Sequence, residues 1–561
     1  MLYLMELILL ISLPSILCVQ MIISGYSFNK FFFKENFDYK QKNIYLIFSF
    51  IFFSNIFLIL NFFFSLNIYL NTLIFLLPLV FIYKIKSKDI KKIILFSFKF
   101  TIFFILLVSF DNINRPDAGL YHYPYMNILN SEKIIFGSAN LHFRFAHTSI
   151  IQYLAAGYKN LIFFDKGLII IPAIIYFSIV SFFYKEIKNQ QNNNLLLFVS
   201  YFFLFQILYD MNRYSGYGND VPAHILFLVC IYYFIKLDPN SYKSFFLIGL
   251  LSILTFQNKS TLILVLILPL LFIFINKNFK FLLEKKNLIL IFFLSCWFIK
   301  NIVISGCLLF PKEITCSKKV FWSSSLVTNM NSADKVSLEN EARSKDHPNR
   351  INREINYQDY LKTNWRPTWL KGHGKSMMIK KTFPILFILI CLVVFLRINK
   401  NPKKQLISYK SDKIRINQIF ILSLTGTIIW FENFPTYRYG AAYIITFIVF
   451  SFAILPIISK SNLKKYLKPK FINIIILVLI SKFLLKYDLS QNLWPNIYDY
   501  NSKNLTSPQV KKIFIKDKFA YYKTINGGVC MSNFAPCSHF DLHNRLSLKI
   551  INGYKFFYLD L

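Results

Sequence analysis

The residues best suited to chemistry begin where an apolar run at 90–110 ends. The carboxylates Asp111 and Asp117 come first, and Tyr121 and His122 follow four and five positions after Asp117. A carboxylate here could act as a general base on an acceptor hydroxyl or ligate a divalent cation. The imidazole could bind phosphate or orient the base. The alternative for Asp117 is a helix N-cap, since Asp often begins a helix.

A second polar group follows in the same segment, with His142 and Arg144 among phenylalanines. A guanidinium in apolar surroundings suits bidentate recognition of phosphate. The alternative is a salt bridge from Arg144 to Asp117 or Asp111, which would still bring it to the same place. We therefore predict that both groups belong to one site.

Three more charged residues stand at the borders of apolar runs, namely Asp220, Lys259 and Arg438. A carboxylate at the entry to a membrane span is costly unless it is solvated or partnered. The two cations could bind the phosphate of a lipid-linked substrate, and the alternative is that they only anchor the chain at the membrane interface. The candidate substrate-binding residues are thus Tyr121, His142, Arg144, Asp220, Lys259 and Arg438, beside the candidate catalytic residues Asp117, Asp111 and His122.

The elements that must position these residues are apolar. The chain is 55% hydrophobic and 19% aromatic with a mean hydropathy of +0.45, and about fourteen runs approach the length that crosses a hydrocarbon core of ~30 Å. We predict an all-α integral membrane protein. The runs lie near 2–23, 44–64, 68–83, 90–110, 161–184, 195–209, 223–235, 244–256, 261–276, 288–304, 383–397, 416–430, 442–458 and 471–485.

The distribution of lysine and arginine predicts the orientation. The short loops predicted on one side of the membrane hold nearly all of the lysines and arginines found in short loops. The short loops on the other side hold only Arg213, Lys259 and Arg438. Cytoplasmic loops retain positive charge, so both termini are predicted outside. We expect a transmembrane domain over 1–485 with outer loops at about 111–160 and 305–382, and a small outer appendix at 486–561.

The net charge of +37 does not indicate nucleic-acid binding, because most of it is spread over short loops predicted to be cytoplasmic. Cysteines support the orientation. Two close pairs fall in predicted outer segments, Cys307 with Cys316 and Cys530 with Cys537. In an oxidising periplasm such pairs can form disulfides, and neither pair is predicted to be catalytic.

Short motifs surround the candidate residues, namely Asp117-Ala-Gly-Leu-Tyr-His-Tyr-Pro, Asn140-Leu-His-Phe-Arg144-Phe, Asn219-Asp220-Val-Pro, the segment from Asn301 to Pro311, Pro435-Thr-Tyr-Arg438-Tyr-Gly and Ala535-Pro-Cys537. In these motifs the chain is similar to a bacterial multipass family of unassigned function. Its outer-loop Asp, many spans and outer basic residues resemble the GT-C class of integral-membrane glycosyltransferases. That resemblance implies that Asp117 is the catalytic base.

Physical chemistry leads to the same function. An enzyme facing outward has no nucleotide sugar available, so its donor must arrive activated and membrane-soluble, as a polyprenyl-phosphate sugar does. We predict a glycosyltransferase of the bacterial inner membrane that moves the sugar to an envelope glycan or lipid acceptor. No cofactor is predicted apart from a divalent cation as an option. The alternatives are a polymerase or ligase of lipid-linked glycans and, in another class, a transporter or flippase of an anionic lipid-linked substrate.

Overall fold

The computed structural model describes most of the chain. Asp111 lies outside the described residues, as does much of the predicted outer loop 305–382. The described residues are 2–110, 117–189, 193–210, 220–317, 319–323, 364–398, 409–461, 463–484, 493–495, 497, 510–515, 519–525, 529–532, 534–538, 542 and 546–559.

Helices account for most of this structure, and every predicted apolar run overlaps a helix. In lipid, each backbone N–H and C=O group must be satisfied within its own segment, which a helix achieves. The α-helices are α1 (Leu2–Phe33), α2 (Lys42–Phe63), α3 (Ile68–Leu76, continued by a 3-10 helix to Lys84), α4 (Ser87–Phe110), α5 (Tyr123–Ser131), α6 (Ile150–Gly157), α7 (Lys166–Asn189), α8 (Asn194–Tyr209), α9 (Asp220–Lys236), α10 (Tyr242–Asn258), α11 (Leu268–Asn276, preceded by a 3-10 helix from Ser260), α12 (Asn287–Ser305), α13 (Arg366–Ile398), α14 (Tyr409–Asn433), α15 (Tyr437–Ala453), α16 (Pro456–Lys460), α17 (Leu463–Tyr466) and α18 (Pro469–Leu484).

Six of the described helices are long and apolar enough to cross a membrane by themselves, and four more are apolar but shorter. The chain therefore has the architecture of a helical membrane protein. The larger number of about fourteen spans stays a prediction, because several helices fall short of the ~20 residues that a straight span requires. The six are Leu4–Phe33, Tyr39–Phe63, Lys166–Asn189, Asn287–Ser305, Arg366–Ile398 and Lys413–Asn433.

The N-terminal helices pack closely. A Cβ atom on Gly25 would lie 1.7 Å from the carbonyl oxygen of Tyr45, so only glycine allows α1 to approach α2 at this point. Helix α1 also packs against α4. The pair α1 and α2 thus begins the bundle on which the chemistry-bearing segment after α4 rests.

The C-terminal segment corrects the all-α prediction. Strands β1 (Val510–Ile515), β2 (Phe519–Thr524) and β3 (Cys537–Ser538) form a sheet in which β1 pairs antiparallel and β3 parallel to β2. Strands β4 (Leu546–Ile551) and β5 (Tyr554–Leu559) form an antiparallel hairpin. Its turn, Asn552-Gly553, has φ values of 49° and 75°, as expected for an Asn-Gly hairpin turn. The β-branched and aromatic residues on the two sides of this Asn-Gly turn were the overlooked signal.

This β segment lies against the chemistry-bearing segment of the chain. The backbone N–H of Phe557 donates to the carbonyl of Phe136 at 2.9 Å, and the N–H of Phe136 donates to the carbonyl of Lys555 at 2.9 Å. Asn140 donates from Nδ2 to the carbonyl of Phe557 at 3.0 Å. The ammonium group of Lys555 pairs with Glu132. The segment described as an appendix from sequence is therefore packed along 132–140.

Both candidate cysteine pairs are disulfide-bonded in the structure, Cys307 to Cys316 and Cys530 to Cys537. The second disulfide closes the loop that carries Met531 onto Gly119, because the backbone N–H of Met531 donates to the carbonyl of Gly119 at 2.9 Å. The loop therefore covers the helical turn that follows Asp117.

Candidate functional site

The site begins at the turn that follows Asp117. Residues Ala118–His122 form a π-helical turn, and α5 continues from it with Pro124 as its second residue. Asp117 makes no side-chain capping bond to this turn. The N-cap alternative for Asp117 is therefore wrong, and its carboxylate is directed elsewhere.

The carboxylate of Asp117 pairs with Arg438 across a long stretch of sequence. The Oδ2 atom of Asp117 lies 3.2 Å from Nη1 of Arg438, and the side chains are 35% and 38% exposed. The Nη2 atom of Arg438 also donates to the hydroxyl of Tyr439 at 2.7 Å. Both members of the pair are thus held in place yet remain accessible to a ligand.

A second ion pair adjoins the first. Lys259, which follows the last residue of α10, pairs with Asp220, the first residue of α9. The Nζ atom of Lys259 also donates to the carbonyl of Arg438 at 3.1 Å and lies 4.5 Å from the ring centroid of Tyr439. Lys259 is only 7% exposed, whereas Asp220 is 30% exposed. The lysine therefore ties two helix ends to the start of α15.

Arg144 completes the cationic group. Its guanidinium lies 5.1 Å from the ring centroid of Tyr121, within the range of a cation–π contact. The backbone N–H of Arg144 donates to Nδ1 of His142 at 3.1 Å, so His142 caps the 3-10 turn that carries the arginine. We find His142 in this positioning role.

Electrostatics joins these parts into one site. The charges of Asp117, Asp220, Arg144 and Arg438 all act on Tyr121 and on His122. Burial raises the pKa of Tyr121 well above its usual value, so its phenol stays protonated. We call this group the Asp117 cluster, and it consists of Asp117, Tyr121, His122, Arg144, Asp220, Lys259 and Arg438. The structure thus brings together every predicted site residue that it describes, with His142 as a support.

His122 is a neutral member of the cluster. Its Nδ1 atom lies 3.0 Å from Nε2 of Gln152, and Oε1 of Gln152 accepts the backbone N–H of Ser149 at 2.8 Å. That second bond orients the amide, so Nδ1 of His122 accepts and the imidazole proton is assigned to Nε2. Burial lowers the pKa of His122 to about 4, although Asp117 and Asp220 act in the opposite direction. A neutral imidazole suits orientation of a base and does not supply positive charge to a phosphate.

Sequence reasoning missed two supporting residues. The Nε2 atom of His224 lies 2.8 Å from the carbonyl of Arg438, and its Nδ1 accepts the N–H of Ala442 at 3.3 Å, so His224 fixes the first turn of α15. The signal was its spacing: His224 stands four residues after Asp220 and so shares its helix face.

The other missed residue is Lys300, which lies in α12 behind the site. Its fully buried ammonium donates to Thr148 at 2.7 Å and lies 3.4 Å from the ring centroid of Trp297. A lysine inside an apolar run is a signal in itself, because an unpartnered charge in the membrane is costly. Lys300 thus links α12 to Thr148, which directly precedes the Ser149–Gln152 segment that supports His122.

Metal binding receives no geometric support in the described part of the chain. No group of three or more His, Cys, Asp or Glu side chains among those residues is arranged to hold a metal ion. The two carboxylates of the cluster instead face cations, so the chemistry that the described side chains offer is a carboxylate base beside a positively charged pocket.

Comparison with known proteins gives one match. No curated protein and no solved structure is significantly similar to the chain, and the resemblance to GT-C glycosyltransferases therefore stays a prediction. Residues 5–445 match the model of a family described as a domain of unknown function, DUF8201. Since that match covers most of the 561 residues, the chain belongs to the DUF8201 family.

Proposed function

We propose that this protein is a GT-C-like glycosyltransferase that moves a sugar from a polyprenyl-phosphate donor to an envelope glycan or lipid acceptor on the outer face of a bacterial inner membrane. The observation that carries the proposal is the Asp117–Arg438 pair, with the Lys259–Asp220 pair beside it. Such a site combines a carboxylate that can take a proton with cations that can hold a phosphate.

The reaction balances with these groups alone. The acceptor hydroxyl oxygen forms a bond to the anomeric carbon, and the bond between that carbon and the phosphate oxygen breaks. The hydroxyl proton passes to the carboxylate of Asp117, which acts as a general base. The bonding electrons leave with the polyprenyl phosphate, whose added charge Arg438, Lys259 and Arg144 stabilise.

The charge balance of the Asp117 cluster suits an anionic leaving group. The cluster holds three cations, Arg144, Lys259 and Arg438, against two carboxylates, and His122 adds no charge near neutral pH because its pKa is about 4. A guanidinium has five N–H donors, so Arg438 can hold Asp117 and a phosphate oxygen together. The partial exposure of Asp117 and Arg438 leaves both within reach of a substrate.

The position of the cluster in the bundle supports an outward-facing site. Asp220 begins α9, Lys259 follows the end of α10 and Arg438 lies in the first turn of α15. These helix ends lie on the side opposite to the lysine-rich short loops. Since positively charged loops are retained in the cytoplasm, the cluster belongs on the outer side.

The test uses the full chain in proteoliposomes. Polyprenyl monophosphate is the leaving group shared by all donors of this class, so its binding is measured first. The readout is the increase in the protein's unfolding temperature when the lipid is present. We expect stabilisation of the wild type and of Asp117→Asn, and loss of it in Arg438→Gln.

Sugar transfer is then measured with a panel of radiolabelled polyprenyl-phosphate hexoses. Asp117→Asn should lower transfer by about 10²–10⁴-fold, the range for loss of a general base. Asp89→Asn is the matched control, since Asp89 pairs with its helical neighbour Lys92 outside the Asp117 cluster, and transfer should not change. Full transfer by Asp117→Asn would overturn the assignment, and movement of the lipid across the vesicle without transfer would favour a flippase.

A further inference from the structure

A cleft begins at the ends of α2 and α7 that carry Lys42, Lys185 and Lys188, which are the ends away from the Asp117 cluster. It opens between α4, α7 and α18, beside the first residues of α2, and has a volume of about 460 Å³. Helix α2 relates the two ends: it starts at the cleft with Lys42 and ends near Glu132, whose carbonyl accepts from Asn61 at 3.0 Å. The lysine end of the cleft is therefore about the length of a helix away from the cluster end of the bundle, and its apolar walls extend along α4 to Leu107 and along α8 to Leu208.

Four lysines line the cleft, and no acidic side chain is among the described residues that line it. The charges of Lys99 and Lys185 act on Lys42, so like charges gather in one place at an electrostatic cost. We call these three residues and Lys188, together with the apolar walls, the lysine cleft.

The acids nearby compensate this charge only in part. Asp38 acts on Lys42 and Lys185, and its side chain already accepts the backbone N–H of Lys40 at 2.9 Å. Glu186 is buried and accepts from Tyr232 at 2.6 Å and from Lys236 at 2.7 Å. The lysine cleft thus keeps an excess of positive charge that an external anion would relieve.

The rest of the lysine cleft is apolar. Phe103 and Leu106 from α4 face Ile476 and Ile480 from α18. Lys99 is exposed and stands within the apolar part of α4, where a lysine extends its ammonium towards the headgroup layer. A ligand that fills this space needs an anionic end at the lysines and a hydrocarbon end along the helices.

We propose that the lysine cleft binds one anionic phospholipid, with the headgroup phosphate among Lys42, Lys99, Lys185 and Lys188 and an acyl chain between α4 and α18. Basic pockets between membrane helices on the cytoplasmic side hold anionic headgroups in this way. The volume of the cleft lies in the range of ~300–1,000 Å³ that is usual for ligand sites. This site is independent of the glycosyltransferase proposal, because none of its residues belongs to the Asp117 cluster.

The experiment measures lipid retention by the purified full chain with native mass spectrometry. Phosphatidylglycerol and phosphatidylcholine with identical acyl chains serve as probes. The test variant is Lys99→Gln with Lys188→Gln, both exposed positions. The matched control is Lys280→Gln with Lys285→Gln, which removes the same charge from exposed positions in the α11–α12 connection.

The wild type and the control should retain one phosphatidylglycerol, and the test variant should bind it about tenfold more weakly, the effect of about 1.4 kcal/mol. Phosphatidylcholine should bind weakly to all three, and glycerol phosphate without acyl chains should not displace the lipid. Lys99→Arg with Lys188→Arg should restore binding, which separates charge recognition from damage to the fold. Equal loss in the test variant and the control, or equal binding of the two lipids, would overturn the proposal.

Discussion

The Asp117 cluster and the lysine cleft differ in how the protein neutralises their positive charge. At the Asp117 cluster, Arg438 and Lys259 are each paired with a carboxylate of the same chain. At the lysine cleft, the side chains that line the space include four lysines and, among the described residues there, no carboxylate. A site that must act on a bound molecule gains from cations fixed beforehand by the protein. A site that only holds a lipid can leave its cations to be neutralised by that lipid.

The largest expected effect is a difference in the free energy of unfolding between a variant of the Asp117 cluster and a variant of the lysine cleft. Lys259→Gln removes a nearly buried cation and leaves Asp220 without its partner, so we expect the free energy of unfolding to fall by about 2–3 kcal/mol, less than for a fully buried pair because Asp220 is partly exposed. Lys188→Gln in the lysine cleft should change it by less than ~0.5 kcal/mol. Thermal unfolding of the purified protein in one detergent compares them. Equal effects would mean that the charges of the cluster are not organised by the fold.

The second prediction concerns the cover of the Asp117 cluster. A Cβ atom on Gly119 would lie 2.2 Å from Sδ of Met531 and 3.1 Å from a methyl group of Val529. Gly119→Ala should therefore destabilise the protein by about 1–3 kcal/mol through overpacking, and it should also lower binding of polyprenyl phosphate if the covering loop shapes the site.

A double-mutant cycle tests the cause of that effect. Met531→Ala removes the side chain that the new methyl group would meet, so the double variant should lose less stability than the sum of the two single variants. Simple additivity would show that the loop carrying Met531 moves away freely and does not define the cluster. Gly249→Ala provides a comparison within α10, because the atoms nearest to its Cβ would belong to the flexible end of Leu290.

The third prediction uses pH. The pKa of His122 is lowered from 6.5 to about 4 by burial, so between these values the unfolded chain binds a proton that the folded chain does not. Stability is then complete above pH 6.5 and falls as the pH drops towards 4, by up to about 1.4 kcal/mol for each pH unit.

The measurement is the unfolding temperature of the wild type and of His122→Asn between pH 7.5 and 4.5. The variant should lose less stability than the wild type across this interval, since the buried imidazole is absent. The four lysines of the lysine cleft stay protonated in the unfolded chain throughout this range, because lysine has a pKa of about 10.4. Identical pH profiles would contradict a neutral His122 in the folded state.

The sequence indicated most of this arrangement, and its failures have physical causes. Apolar runs predicted the helices because a helix alone satisfies its backbone in lipid. Charged residues at the borders of those runs predicted the cluster, even though Asp117 and Arg438 are 321 positions apart. The bonds from Gln152 to His122 and from Lys300 to Thr148 depend on packing between distant helices, which no local pattern encodes. The strands after 510 are short and lysine-rich, so their alternation was a weak signal.

The smallest effect is expected where the β segment joins the cluster end of the bundle. Glu132 and Lys555 pair with both side chains 25% exposed, and partly exposed ion pairs contribute about 0.2–1 kcal/mol. Glu132→Gln should therefore lower the unfolding temperature only slightly, and less in high salt, where the pair in the wild type is screened. A larger loss would mean that this pair, rather than the backbone bonds of Phe136 and Phe557, attaches the β segment. In that case a single surface ion pair would hold the β segment on the bundle. The difference in stability between the Asp117 cluster and the lysine cleft would then come from the attached β segment and not from the ion pairs at the helix ends.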